Sequence, residues 1–185
     1  MPERRLRLFL AFWPDNRQRA QLTDSLRGIL DAGGFRAVPS ENLHVTIVFV
    51  GSIARTALAE LITAVGSVAQ QPLTSPICLT FDRIEYWSKA DVLCATAPPS
   101  DVASRLAARW KSQLASCGFS PDEKPFRPHV TLGRKVTRSI RASRIAPVRW
   151  CFREAVLVAS STGAAGSSYS TLQRWSLCGE HAENT

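Results

Sequence analysis

The feature that most limits how this chain can fold is the shortness of the links between its strand-like segments. Residues 77–87 and 92–97 both carry strand patterns and are separated by four residues, and residues 150–160 and 169–178 by eight. A parallel pair needs a crossover of a dozen or more residues, usually a helix, so these segments predict antiparallel pairing. Further strand patterns fall at 4–12, 43–50 and 130–135. In the first, Arg5 and Arg7 alternate with Leu6, Leu8, Leu10 and Phe12, the period of a half-buried strand. Helical spacing interrupts them three times. Over 17–30 the apolar row is Leu22, Leu26, Ile29 and Leu30, with Pro14, Asp15 and Asn16 ahead as strand breaker and cap and Gly33 and Gly34 as the stop. Over 56–69 it is Leu58, Leu61, Ile62, Val65 and Val68. Over 101–117 it is Val102, Leu106, Trp110 and Leu114, capped by Ser100 and ended by Gly118. Helices intermixed with short-linked strands give a mostly antiparallel α+β fold rather than a doubly wound parallel sheet.

The chain has 185 residues, 45% of them hydrophobic, and no Pro-rich or low-complexity linker divides it, which predicts one folding unit. Five scattered cysteines (Cys78, Cys94, Cys117, Cys151, Cys178) form no CxxC pair, which argues against a zinc knuckle or a disulfide framework and for buried, reduced thiols. The opening "MPERRLRLFLAFWPD" starts like a signal peptide, but Arg7 interrupts it and the apolar run from Leu8 to Trp13 is too short. No stretch suits a membrane span, so the expectation is a cytoplasmic protein.

The net charge of +8 is concentrated. From Lys124 to Arg153 there are nine Lys or Arg and no Asp or Glu, while the rest of the chain is nearly neutral. Such a run reads either as a solvated face or as a surface for an anionic ligand such as nucleic acid. It contains "RPHVTLGRK", and the tripeptide HVT also occurs 85 residues earlier in "NLHVTIVFVG", although the chain has only three histidines. On a strand, positions i and i+2 share a face, so His44 and Thr46 project together, as do His129 and Thr131, roughly 7 Å apart along each strand. The intervening valines point into a core, and strict alternation puts Val48 and Val50 on the face of His44.

A lone histidine satisfying a local hydrogen bond would need no further account, but two of three in the same context do. Zinc is a poor fit, because no Cys, Asp or Glu stands at ligand spacing near either motif and threonine is a weak zinc ligand. A serine-type nucleophile gives no reason for two copies. Two histidines with two hydroxyls suit acid and base catalysis across a phosphodiester. One neutral imidazole accepts a proton from water, one protonated imidazole gives a proton to the leaving oxygen, and the hydroxyls donate to the non-bridging oxygens. In-line displacement requires the two to face each other, and neither a metal nor another cofactor is called for.

These residues resemble the paired HxTx motifs of the 2H phosphoesterases, most closely the bacterial and archaeal RNA 2',3'-cyclic phosphodiesterases, also called 2'-5' RNA ligases. The similarity extends to "RLRLFLAFWPD", "GFSPDEKPFRPHVTLGR" and "GSSYSTLQRWSL", in the same order. The resemblance implies a bilobal α+β fold over residues 1–180 with a short tail at 181–185. Each lobe would hold a mostly antiparallel sheet with outer helices, and the cleft between them would carry both motifs. It implies metal-independent hydrolysis of an RNA terminal 2',3'-cyclic phosphate to a 2'-phosphomonoester, with RNA ends or nucleoside 2',3'-cyclic phosphates as partners, in a monomer. His44 and His129 would be the catalytic pair, Thr46 and Thr131 would bind phosphoryl oxygens, Arg134 would hold the phosphate and Phe49 would stack on the terminal base. Bland alternatives are a surface charge for Arg134 and simple core for Phe49. Ligation of RNA halves through a 2'-5' bond, and an RNA-end binding module without chemistry, are the competing functions.

By analogy with the family His44 is read as the acid and His129 as the base, the latter because cations of the basic segment should lower its pKa. Arg134 raises a difficulty: it lies an odd number of residues from His129 and Thr131, and strict alternation points it away. A bulge near Gly133 would bring it back. Tyr169, Ser167 and Ser168 are read as turn and packing residues.

Overall fold

The computed structural model describes residues 5–137, 140–163 and 166–179, so the expected tail at 181–185 lies outside the described residues. Among the described residues nine strands and four α-helices follow one another: β1 (Arg5–Phe12), α1 (Asn16–Ser25), α2 (Arg27–Asp31), β2 (Arg36–Ala37), β3 (Val45–Ala54), α3 (Leu58–Ala69), β4 (Ile77–Trp87), β5 (Val92–Thr96), α4 (Asp101–Ser116), β6 (His129–Arg134), β7 (Ser143–Phe152), β8 (Glu154–Gly163) and β9 (Gly166–Ser176). They form two sheets, one ordered β3-β1-β8-β9 and the other β2-β6-β5-β4-β7. Every pairing of these strands is antiparallel, as the short links require. The chain enters the second sheet for β2 alone, returns for β3, stays in the second for β4 to β7 and closes in the first, so neither sheet is built from one continuous stretch.

The alternation in β1 sets up two cores. Leu8, Leu10 and Phe12 enter the main apolar cluster, while Phe9 and Ala11, on the opposite face, join Val156 and Val158 in a small second one. The main cluster also takes Leu22 and Leu26, Leu61 and Val65 of α3, and Leu106, Trp110 and Leu114 of α4. Its buried indoles are satisfied: Trp110 Nε1 donates to the Val65 carbonyl at 3.1 Å and Trp150 Nε1 to the Gln18 carbonyl at 2.8 Å.

Several expectations are corrected. The single helix over 17–30 is two, α1 and α2, broken at Leu26; α1 begins behind Asp15, one of the expected cap residues, which the structure shows in a capping box with Gln18. At the break Leu26 is fully buried and Ser25 donates to the Ala146 carbonyl at 3.0 Å, tertiary ties that periodicity does not encode. In α4 Val102 is exposed and Ala103 is buried in its place. The segment 150–160 is not one strand: the chain bends at the exposed Arg153 and passes from β7 in one sheet to β8 in the other. The thiols are not all reduced, because β4 and β7 set Cys78 directly opposite Cys151, with Cα atoms 4.0 Å apart, and the two form a disulfide. Cys94, Cys117 and Cys178 remain free. The part of the cytoplasmic expectation that rested on reduced thiols falls with that correction. Among the described residues no helix is long and apolar enough to cross a membrane.

Candidate active site

Both histidines are held in the same way. Nδ1 of His44 lies 2.7 Å from the carbonyl oxygen of Asn42, and Nδ1 of His129 lies 2.7 Å from that of Arg127, in each case two residues back along the chain. A carbonyl only accepts, so Nδ1 carries the proton and Nε2 of the neutral ring carries the lone pair. Each ring thus presents Nε2 on the edge away from its own backbone. Val45 and Val130 are fully buried behind them, as alternation predicted.

Beyond the threonines alternation fails, and it fails at the same place in both motifs. The pairing of β3 with β1 runs Thr46↔Ala11 and then Val48↔Leu10, leaving Ile47 as an extra residue. The pairing of β6 with β5 runs Thr131↔Cys94 and then Gly133↔Leu93, leaving Leu132 as an extra residue. A one-residue bulge reverses the phase of everything that follows it. Ile47 and Leu132 each stand three residues after their histidine, so the residue five after the histidine returns to the motif face. Arg134, opposite Val92, therefore shares the face of Thr131, which removes the geometric objection to it. Phe49, opposite Phe9, shares the face of Thr46 and is 45% exposed, so it is not simple core. The expectation that Val48 and Val50 continue the His44 face is overturned: Val48 faces Leu10, and both valines enter the main core.

The surroundings of the two rings differ. His44 sits in an aromatic box: Trp13 stacks on it at 4.9 Å and 3°, Phe9 stacks at 5.0 Å and 26°, and Tyr169 meets it edge-on at 5.2 Å. Burial there, helped by the charges of His129 and Arg134 and opposed by the Asn42 carbonyl, lowers its pKa to about 4. Among the described residues His129 has one aromatic neighbour, Trp87, at 4.5 Å. Arg127 lies 4.4 Å over the Trp87 ring and pairs with Glu85, and Glu85 also accepts from Trp87 Nε1 at 3.0 Å. Burial lowers the His129 pKa too, with Arg127 and Arg134 adding to it. Cations therefore do not single out His129 as the less readily protonated ring: burial is the larger cause at both, and it acts most on His44.

A cleft of about 380 Å³ collects Thr46, Phe49, His129, Thr131 and Arg134, with Trp87, Lys111, Lys124 and Arg127 around them. Of the nine cations of the basic segment, Lys124, Arg127 and Arg134 line this cleft. Arg144 and Arg149 instead lie on β7, the far edge of the second sheet, where Arg144 pairs with Asp82 at 3.5 Å. The segment is thus partly a site and partly a solvated face. Beside Thr131 lies Cys94, whose buried thiol is pushed up to about 12 and is within hydrogen-bonding reach of the Thr131 hydroxyl. Among the described residues no three His, Cys, Asp or Glu side chains gather as a metal-binding group.

The sequence reading missed Phe9, Trp13, Trp87, Glu85 and Arg127, and it gave Tyr169 only a turn and packing role. None stands within a motif strand. Trp13 directly after β1 and Arg127 two residues before His129 were the only local signals, and which ring they would touch is a tertiary fact.

Residues 13–160 match the family described as the 2'-5' RNA ligase superfamily. A protein named RNA 2',3'-cyclic phosphodiesterase from Escherichia coli (strain K12) is 31% identical over 148 residues, covering 77% of this chain and 80% of its own. One of the same name from Thermus thermophilus is 28% identical over 188 residues, covering 95% and 92%. Among solved structures, E. coli LigT in apo form is similar with a TM-score of 0.79 and 26% identity, over 95% of this chain and 99% of that one. E. coli LigT complexed with 3'-AMP matches with a TM-score of 0.79 and 27% identity, over 94% and 99%.

Proposed function

Because the chain belongs to the 2'-5' RNA ligase superfamily, we propose that it is an RNA 2',3'-cyclic phosphodiesterase, which opens a terminal 2',3'-cyclic phosphate to a 2'-phosphomonoester with His44 and His129 as the paired acid and base. The observation that carries this reading is the matched anchoring of the two rings, each with Nδ1 committed to a backbone carbonyl and Nε2 left for chemistry. Water attacks phosphorus as one Nε2 takes its proton. The P–O3' bond breaks opposite the attack while the other imidazolium protonates O3'. Thr46 and Thr131 donate to the non-bridging oxygens, and Arg134 supplies the counter-charge. Cys94, kept as a thiol, can give its S–H to the Thr131 oxygen and leave the Thr131 O–H for the phosphate. Phe49 offers its exposed ring to the terminal base. These protein groups supply the whole proton inventory, so no step is assigned to a metal.

The proton balance of the two histidines bears on their roles. The free protein holds His44 neutral at pH 7, the form a base needs. For His44 to be the acid instead, the bound phosphate must raise its pKa past neutrality. The pH dependence of kcat/KM separates the two: the variant that loses the acidic limb has lost the base, and the one that loses the basic limb has lost the acid. The activity itself is tested by turnover, in EDTA, of an RNA oligonucleotide ending in a 2',3'-cyclic phosphate, with the product identified as the 2'-phosphate. A 3'-phosphate product, a metal requirement, or unchanged turnover in His44→Ala overturns the scheme. Retained RNA binding with no turnover in the native protein makes it an RNA-end binding module.

A further inference from the structure

Arg134 lines the cleft and also borders a second, smaller pocket of about 120 Å³, whose lining includes Arg36, Asn42, Ser167 and Tyr169. Arg36 comes from β2, the two-residue strand that the sequence did not reveal, and the pairing of β2 with β6 sets Arg36 directly opposite Arg134. Like charges directly opposite each other across two strands repel, and proteins usually relieve them with a carboxylate. Here, among the described residues, neither guanidinium lies within ion-pair distance of an Asp or Glu, although Arg27, Arg127, Arg144 and Arg174 each have such a partner. Nor does the Tyr169 hydroxyl or the Ser167 hydroxyl make a hydrogen bond to a described residue. Two unneutralised guanidiniums therefore meet two free hydroxyls around a concavity far below the size that takes a whole nucleotide. That composition fits a single tetrahedral oxyanion, for which an arginine fork and hydroxyl donors are the usual ligands.

We propose that this pocket binds a second phosphate group of the substrate, with Arg36 serving that phosphate and Arg134 shared between it and the reacting one. The proposal rests on the phosphodiesterase reading in that the ligand is a nucleotide. It makes the preferred substrate an RNA end that carries a further phosphate one nucleotide away, rather than a nucleoside 2',3'-cyclic monophosphate. Two sources offer the same chemistry. One is the phosphate on the 5' side of the terminal nucleoside, and the other is the phosphate of a nucleotide joined through a 2'-5' link on the far side of the reacting phosphorus.

The test uses calorimetric titration of the native protein and of Arg36→Ala with three non-hydrolysed ligands: uridine 2'-phosphate, uridine 2',5'-bisphosphate, and a 2'-5'-linked diuridine bearing a 3'-phosphate with a non-bridging sulfur at its internal linkage. Uridine 2'-phosphate is expected to bind both proteins alike. One of the other two is expected to bind the native protein more tightly, and Arg36→Ala to weaken it about tenfold or more, the size of one charge-assisted contact. Whichever ligand responds identifies the source. Equal binding of all three ligands by both proteins, or equal weakening of all three in Arg36→Ala, overturns the proposal. If Arg36→Ala does not fold, the salt dependence of the native protein decides. The responding ligand should lose affinity with salt more steeply than uridine 2'-phosphate, by a slope of about one, and equal slopes overturn the subsite. Turnover of the cyclic phosphate is scored separately. Its failure with Arg36-dependent binding intact removes only the hydrolase reading, and its success without such binding removes only the subsite.

Discussion

Replacing His44 by glutamine should flatten the acid loss of stability, by an amount that follows from the aromatic box. A histidine whose folded pKa is lowered binds fewer protons folded than unfolded. Its contribution is therefore fully present above the ordinary value of 6.5 and is lost as pH falls from there toward about 4. At about pH 5 an unfolded imidazole is protonated roughly thirty to one, whereas the folded ring is protonated in roughly one molecule in ten. The difference amounts to about 2 kcal/mol between about pH 7.5 and about pH 5, at most, since the ring keeps some contact with solvent. Burial also lowers the pKa of His129, but that residue is present in both proteins and cancels. Urea unfolding at the two pH values, followed by tryptophan fluorescence, measures the stability change for each protein. The native protein is expected to lose about 2 kcal/mol more than His44→Gln over that interval. Parallel pH dependences, or an imidazole resonance of His44 that titrates at or above 6.5, would refute the claim that Phe9, Trp13 and Tyr169 keep this ring neutral.

Phe49→Ala should leave the unfolding midpoint nearly unchanged, because the ring is 45% exposed, while raising KM for an RNA end by the value of one base stack, about 1–3 kcal/mol; a large stability loss would return Phe49 to the core. Gly133→Ala places a Cβ 2.1 Å from Cδ2 of Phe35, so Phe35 must move; the expected cost is about 1–3 kcal/mol in chemical denaturation, partly recovered in Gly133→Ala with Phe35→Leu. Thiol titration of the unfolded, unreduced protein should count three free groups, Cys94, Cys117 and Cys178, and five would deny the Cys78–Cys151 link. With the link present, its 73-residue separation predicts that reduction costs about 2–4 kcal/mol of stability.

What could be read from the chain alone was whatever depends on near neighbours. Strand period and link length called for antiparallel sheets, the caps at Asp15 and Ser100 started their helices where expected, and the repeated tripeptide named two histidines and two threonines that do share faces. Side-chain direction is a local property as long as the pairing is regular, which is why His44, Thr46, His129 and Thr131 could be placed.

Tertiary structure decided what depends on partners far along the chain. The bulges at Ile47 and Leu132 exist only because β1 and β5 pair out of step with them, and they alone turn Phe49 and Arg134 toward the site. The change of sheet at Arg153, the strand that sets Arg36 against Arg134, and the Cys78–Cys151 link are likewise products of pairing. So is the difference between two identical tripeptides: burial by Phe9 of β1, Trp13 just after it and Tyr169 of β9 holds His44 neutral, while among the described residues His129 keeps a single tryptophan beside it. Sequence named the groups proposed to react, because their chemistry belongs to their side chains. Only the fold set their aim and protonation, because pairing phase and desolvation are contributed by residues they never adjoin in the chain.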